Sequence, residues 1–245
     1  TAASWNSLYK MVHRCAAHQG VAITLGGSVT ADKFTAGNAI TADTQLTPAI
    51  AAIVGGKASF DAANMATAAK NDKSGTANWT ASTVHSFTQT FSSYDVARHF
   101  YNQGGAMIFS ASRSGGGGHT QNTDWATLLS NVGTVTVTGT AITGGSGSSG
   151  GGDFADVVAN PNLTRTVWSH SSSGAYASNN YKIECSCNAA KTVYTWTITF
   201  TDGHANAFED YVDGTLASNV SEKRATGTYV NSDAPSYSAG SYTQS

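Results

Sequence analysis

Charge is what this sequence has least of. Of 245 residues, 13 are Lys or Arg and 15 are Asp or Glu, 11% together, where an average soluble domain carries about 25%. Gly, Ser, Thr, Asn and Ala take the places that charged groups usually fill. Hydroxyls and amides cost less to desolvate than ammonium or carboxylate groups, so such a surface suits lasting protein contacts. A net charge of −2, with no basic cluster longer than Lys223-Arg224, lacks the positive stripe of a nucleic-acid binder. No run of about 18 apolar residues is present, which argues against a helical membrane span. Lys10, His13 and Arg14 interrupt residues 1–25, which therefore lack the layout of a signal peptide.

Cysteine is scarce and odd in number. Cys15, Cys185 and Cys187 leave at least one thiol without an internal partner if any disulfide forms. The plain reading is three free thiols. The sharper one makes them candidates for an intermolecular disulfide, led by Cys15, formed outside a reducing cytoplasm.

What is present is mostly strand pattern. The chain is long enough for one large β domain or two smaller ones. From Ser4 to Gln19, Trp5, Leu8, Tyr9, Val12 and Ala16 recur at helical spacing, with Ser4 as expected N-cap and Gly20 as stop. Residues 21–43 read as loop, and Thr47-Pro48 opens a short helix ended by Gly55-Gly56. Residues 72–82 read as a linker, which divides the chain into an N-terminal helical docking region, 1–80, and a β domain, 81–245. Between 84 and 91, His85, Phe87, Gln89 and Phe91 share one face of a strand, and Tyr194, Trp196, Ile198 and Phe200 do so between 192 and 201. Further strands are expected at 106–112, 134–138, 163–168, 180–187 and 215–222, with short helices at 93–101 and 124–131. Residues 139–152, a low-complexity stretch mainly of Gly and Ser, read as a flexible loop. The expected fold is mainly β, an antiparallel β-sandwich-like domain with short helices, preceded by an N-terminal helical region.

Catalytic and metal patterns are weak. The nearest approach to a G-x-S-x-G elbow, residues 145–150, lies in the Gly/Ser run without a strand-turn-helix frame. Glu184, Glu209 and Glu222 are the only Glu and sit in separate contexts. His13 and Cys15 are two apart on a helix and point to different sides, while Cys185 and Cys187 share a strand face but are too few for zinc. Gly115 to Gly118 lacks the Lys-Ser/Thr ending of a P-loop. Neither an enzyme nor a cofactor is expected.

One set of motifs goes further. Tyr94-Asp95-Val96-Ala97-Arg98-His99-Phe100-Tyr101-Asn102-Gln103-Gly104-Gly105 is followed by Phe109-Ser110-Ala111-Ser112-Arg113-Ser114-Gly115-Gly116. In order downstream come Gln121-Asn122-Thr123-Asp124-Trp125, Leu128-Leu129, Gly133-Thr134-Val135, Ser173-Gly174-Ala175-Tyr176, Gly214-Thr215-Leu216, Arg224-Ala225-Thr226-Gly227 and Pro235-Ser236-Tyr237-Ser238. This series resembles virion structural proteins of contractile-tailed, myovirus-like bacteriophages over about residues 84–238. Ala106, Met107 and Ile108 depart from the more polar strand start of that pattern, and Cys185 and Cys187 are additions to it.

The resemblance implies a framework role for Arg98, Asn102, Gly104, Gly105, Arg113, Trp125 and Arg224. It implies a homo-oligomeric layer of the neck, collar or outer tail, in contact with other virion proteins and assembled in the host cytoplasm. The alternative is a carbohydrate-binding adhesin module of a tail fibre, which solvent-facing aromatics around residues 139–152 would favour. A hydrolase would require Ser, His and an acid to converge in a cleft.

Overall fold

The computed structural model describes residues 1–26, 28, 30–35, 46–56, 61–204, 211–228 and 230–245. Glu209 and much of the stretch read as loop between 21 and 43 lie outside the described residues. The chain forms two compact units, one of Thr1–Ala66 with Arg224–Ser232, the other of Thr67–Lys223 with Asp233–Ser245.

The first unit is built on two helices, α1 (Ala2–Gln19) and α2 (Thr47–Gly55). Helix α1 starts earlier than its apolar spacing suggests, because the Thr1 hydroxyl accepts from the Ser4 amide and caps it. Gly20, at φ 67°, ends it in the left-handed region. Tyr9, Val12, Leu25, Phe34, Leu46 and Ala49 make a small core. Asn6 is buried there and pins the following segment: its Nδ2 donates to the Phe34 carbonyl at 3.0 Å, and its Oδ1 accepts from the Phe34 amide at 2.8 Å.

The second unit is the expected β-sandwich-like fold, with two antiparallel sheets. Its strands are β1 (Met65–Ala69, begun in the first unit), β2 (Lys73–Gly75), β3 (Ser82–Thr90), β4 (Ala106–Ser114), β5 (Thr134–Val137), β6 (Ile142–Thr143) and β7 (Ser148–Ser149). They continue as β8 (Arg165–Ser171), β9 (Asn180–Cys187), β10 (Val193–Thr201), β11 (Thr215–Ala225), β12 (Ser236–Tyr237) and β13 (Ser241–Gln244). One sheet runs β1-β11-β4-β5-β6, with β2 also on β11. The other runs β12-β3-β10-β9-β8-β7, with β13 also on β3. Helices α3 (Tyr94–Asn102), α4 (Thr120–Val132) and α5 (Phe154–Ala159) complete the unit.

Strands β3, β9 and β10 alternate buried and half-buried along their whole length. That is the period-2 signature of a strand with one face on a core. The buried faces of both sheets meet one core: the Phe109 ring of β4 lies 5.0 Å from Trp196 of β10, and Trp125 of α4 lies 4.7 Å from Trp79. These fully buried rings supply the largest apolar areas of the fold.

Two sequence-based expectations change. Residues 72–82 are not a linker set apart from the β unit. Lys73–Gly75 pairs with β11, and Asp72 accepts from the Val220 amide at 2.9 Å. Their polar composition suits a short strand with little buried side chain. Residues 139–152 are likewise not a free loop, because they form β6 and β7 and lie closely over β8. A Cβ on Gly144 would come within 2.7 Å of the Trp168 ring, and one on Gly147 within 2.6 Å of its Nε1. The glycines are there for close approach to Trp168, which donates from Nε1 to the Ser146 carbonyl at 3.3 Å.

Candidate functional site

The motif residues occupy one structural junction and several separate places. Arg113, at the end of β4, has a buried side chain that donates from Nε and Nη2 to the Asp213 carbonyl at 2.8 and 2.6 Å. Its Nη2 also reaches the Asp213 carboxylate at 3.2 Å. That carboxylate accepts from the Gly117 amide at 2.8 Å and from Asn122 Nδ2, while the Asp213 amide donates to Asn122 Oδ1 at 3.1 Å. The glycine turn after Arg113 thus folds around a carboxylate. The Gly117 amide first, then Asn122 and Arg113, hold the Asp213 pKa below its ordinary value. Arg113 bridges across the fold to Asp213, whereas Arg98 pairs with Asp95 on its own helix at 3.3 Å.

Elsewhere in the motif, Gly104 sits at φ 82° just past α3, and a Cβ on Gly105 would meet the Phe100 carbonyl. Asn102 is exposed at the end of α3. Trp125 and Leu129, four apart on α4, are both buried. Arg224 donates to the Ser232 carbonyl at 2.9 Å within the first unit.

Two buried polar networks escape sequence reasoning. Gln89, on the core face of β3, accepts at Oε1 from Trp196 at 3.3 Å and from Tyr101 at 3.4 Å. Its Nε2 donates to the Tyr237 hydroxyl at 3.2 Å, and Tyr237 donates to Glu222 Oε2 at 2.7 Å. Lys70 lies 3.7 Å from Glu222 Oε1, so the buried carboxylate has a cation and a hydroxyl. The second network centres on His85, whose ring nitrogens contact Ser218 Oγ at 2.9 Å and Asn71 Oδ1 at 3.0 Å. Burial lowers the His85 pKa from 6.5 to about 4, so the ring is neutral near pH 7.

One concave feature of the β unit is a cleft of about 220 Å³. Helix α4 supplies Asp124, Thr127, Leu128 and Asn131 to it, the i, i+3, i+4, i+7 positions of one face. The end of β8 and the turn beyond it supply His170, Ser171, Ser172 and Ser173, and the glycine strap supplies Ser146. The Ser172 hydroxyl donates to Asp124 Oδ1 at 2.5 Å, and Asp124 Oδ2 is buried with no hydrogen-bond partner.

Ser, His and Asp therefore converge in this cleft, which their separation in sequence hides. The geometry differs from that of an acyl-transfer triad, in which His accepts from Ser and donates to the acid. Here the hydroxyl donates straight to the carboxylate, and among the described residues no hydrogen bond joins the His170 ring to either.

Cys15 is exposed, whereas Cys185 and Cys187 are buried on the core face of β9, and burial raises both of their pKa values. Those two sulfurs are thus withdrawn from intermolecular pairing in the folded chain. Among the described residues no group of three or more His, Cys, Asp or Glu is placed to hold a metal ion. No protein-family model, curated protein or solved structure matches the chain.

Proposed function

We propose that this chain is a non-enzymatic structural protein of a tailed-bacteriophage particle, forming a homo-oligomeric layer of the neck, collar or outer tail. The observation that carries the proposal is the ordered series of short motifs between residues 84 and 238. The structure of those motifs supports a framework role: the Arg113, Asp213, Gly117 and Asn122 junction ties strand, turn and helix together. The low charge of the chain suits a surface that is covered by neighbours.

Docking through the N-terminal region fits the placement of exposed apolar side chains. Of the four large, apolar and exposed side chains among the described residues, Met11, Ile50 and Val54 lie on α1 or α2, and the fourth, Leu163, lies in the β unit. The adhesin alternative, in the form that relies on stacking aromatics around residues 139–152, has less support. The rings that this segment touches or leads into, Trp168 and Phe154, are buried. Mass spectrometry and antibody-labelled electron microscopy of purified particles test the proposal. The protein should be a stoichiometric component at one level of the neck or tail, and its absence from the particle would overturn the reading.

A further inference from the structure

We infer that the edge of β3 is a docking site for the C-terminal arm, Asp233–Ser245, of a second copy of this chain, so that folded copies exchange arms. The exchange rests on the homo-oligomeric reading for its setting and on the arm's own contacts for its chemistry. After β11 the chain passes through Arg224–Ser232 in the first unit and returns as Asp233–Ser245 in the second. The bridge between the two is slight. Asp233 and Ala234 are exposed, and among the described residues neither makes a hydrogen bond.

Beyond that bridge the arm is held by groups distant from it in sequence. Ser236 and Tyr237 pair with Thr90 and Gln89, and Ser241 to Gln244 pair with Ser86 to Thr83. The Ser238 amide donates to the Thr88 carbonyl at 3.0 Å, and Ser238 Oγ accepts from the Thr88 amide at 2.9 Å. Ser245 closes the end: its amide donates to the Ser82 carbonyl, and its carbonyl accepts from the Thr80 and Ala81 amides, all at 3.1 Å. Two half-buried tyrosines anchor the arm, Tyr237 donating to Glu222 at 2.7 Å and Tyr242 to the Leu216 carbonyl at 3.2 Å. None of these partners lies in the 224–232 segment that tethers the arm. Each bond can therefore form equally well on the β3 of another copy.

The seat fits this arm rather than extended peptides in general. Gly240, at φ 71°, bends the chain between β12 and β13, and a Cβ there would come within 2.9 Å of both Asn71 Oδ1 and the Ser86 carbonyl. Gly75 makes room for Tyr242, whose Cε1 would be 2.7 Å from a Cβ at that position. The devices that usually keep strand edges of different chains apart are missing: β3 and residues 234–245 contain no Lys, Arg, Asp or Glu, and the β3–β13 register runs without a bulge. Docking on the same copy and docking on a neighbour differ only in the tether. A short flexible tether supplies an effective concentration on the order of millimolar. Exchange takes over where neighbours reach that density, as they do in a packed layer of copies.

The test mixes two full-length chains, Ser86→Cys and Ser241→Cys, each also carrying Cys15→Ser. Residues 86 and 241 are directly opposite, and such pairs lie about 4.5–5.5 Å apart at Cα, within disulfide reach. In the mixture, a link between them requires the arm of one chain on the β3 of the other. No particle is needed, so a failure here leaves the particle assignment standing, and absence of the protein from particles leaves this result standing. After incubation at about 1 mM and oxidation, mass spectrometry should find the 86–241 link at least about tenfold more abundant than the off-register link in a mixture of Thr90→Cys with Ser241→Cys. A smaller excess would overturn the inference. Should the cysteine variants fail to fold, a chain lacking Asp233 and Ala234 decides. Its bridge is shorter by about 7 Å between Ser232, bonded to Ala225, and Ser236, paired with Thr90, so both ends cannot stay in place on one copy. Sedimentation of that chain at about 1 mM should show dimers or larger assemblies, and a monomer would overturn the inference.

Discussion

Removing the Asp213 carboxylate should destabilise the β unit, because three groups of the glycine turn, α4 and β4 share it as their acceptor. In Asp213→Ala the Gly117 amide, Asn122 Nδ2 and one bond of Arg113 lose their acceptor. The Arg113 bonds to the main-chain carbonyl, at 2.8 and 2.6 Å, survive. Hydrogen bonds to charged groups contribute about 1.5–3 kcal/mol each, but the carboxylate is 22% exposed and water replaces part of the loss. The expected cost is therefore about 3 kcal/mol rather than the full sum.

For a chain of this size that corresponds to a fall in unfolding midpoint of about 6–12 °C. Asp213→Asn, which keeps one acceptor, should cost about half as much. Trp79, Trp125, Trp168 and Trp196 belong to the β unit and only Trp5 to the other, so tryptophan fluorescence in urea reports on the unit concerned. A double-mutant cycle with Arg113→Ala should show coupling above about 1 kcal/mol. Because the folded-state pKa of Asp213 is lowered, its contribution is present above the unfolded carboxylate value and lost as pH falls through the folded one. A cost under about 1 kcal/mol for the Ala variant, or no coupling to Arg113, would refute the view that this junction organises the motif.

Three further outcomes are expected. Tyr237→Phe removes the hydroxyl at 2.7 Å from buried Glu222 and should cost about 1.5–3 kcal/mol in urea unfolding; a loss no larger than that of an exposed Tyr would contradict the network. His85, with its pKa lowered to about 4, contributes stability that is complete above pH 6.5 and declines as pH falls toward 4, by about 3 kcal/mol in all; His85→Gln should flatten that part of a stability-against-pH curve, and an unchanged slope would exclude His85 as its source. In thiol titration Cys15 should react at once and Cys185 and Cys187 only after unfolding, and any cross-linked species on non-reducing gels of oxidised particles should vanish in Cys15→Ser.

What the sequence revealed and what it concealed follow one physical line. Helix α1 and strands β3, β9, β10 and β11 were legible because each lays one face on a core, and burial writes a period into the residues. Strands β1, β2, β12 and β13 were not. They are short and carry few buried side chains, so their identity comes from the backbone of a neighbour rather than from their own pattern. Helix α5 follows the glycine run, and its signal, the Asp153 cap accepting from the Asp156 amide, was present but short. The cleft was hidden for a different reason. Asp124 and Ser172 are 48 positions apart, and the α4 face that brings Asp124, Thr127 and Asn131 together breaks no compositional rule.

The pairing of β3 has a consequence for how the chain reaches its fold. On one side β3 takes β10, and on the other it takes β12 and β13, so that Ser82 and Ser245, 163 positions apart, end hydrogen-bonded. Nearly the whole β unit must leave the ribosome before that edge can close. Until then β3 presents an uncharged, Thr-rich ribbon open to any other strand, including the same one on a neighbouring nascent chain. Productive assembly thus depends on timing: the last strands must arrive before another copy does.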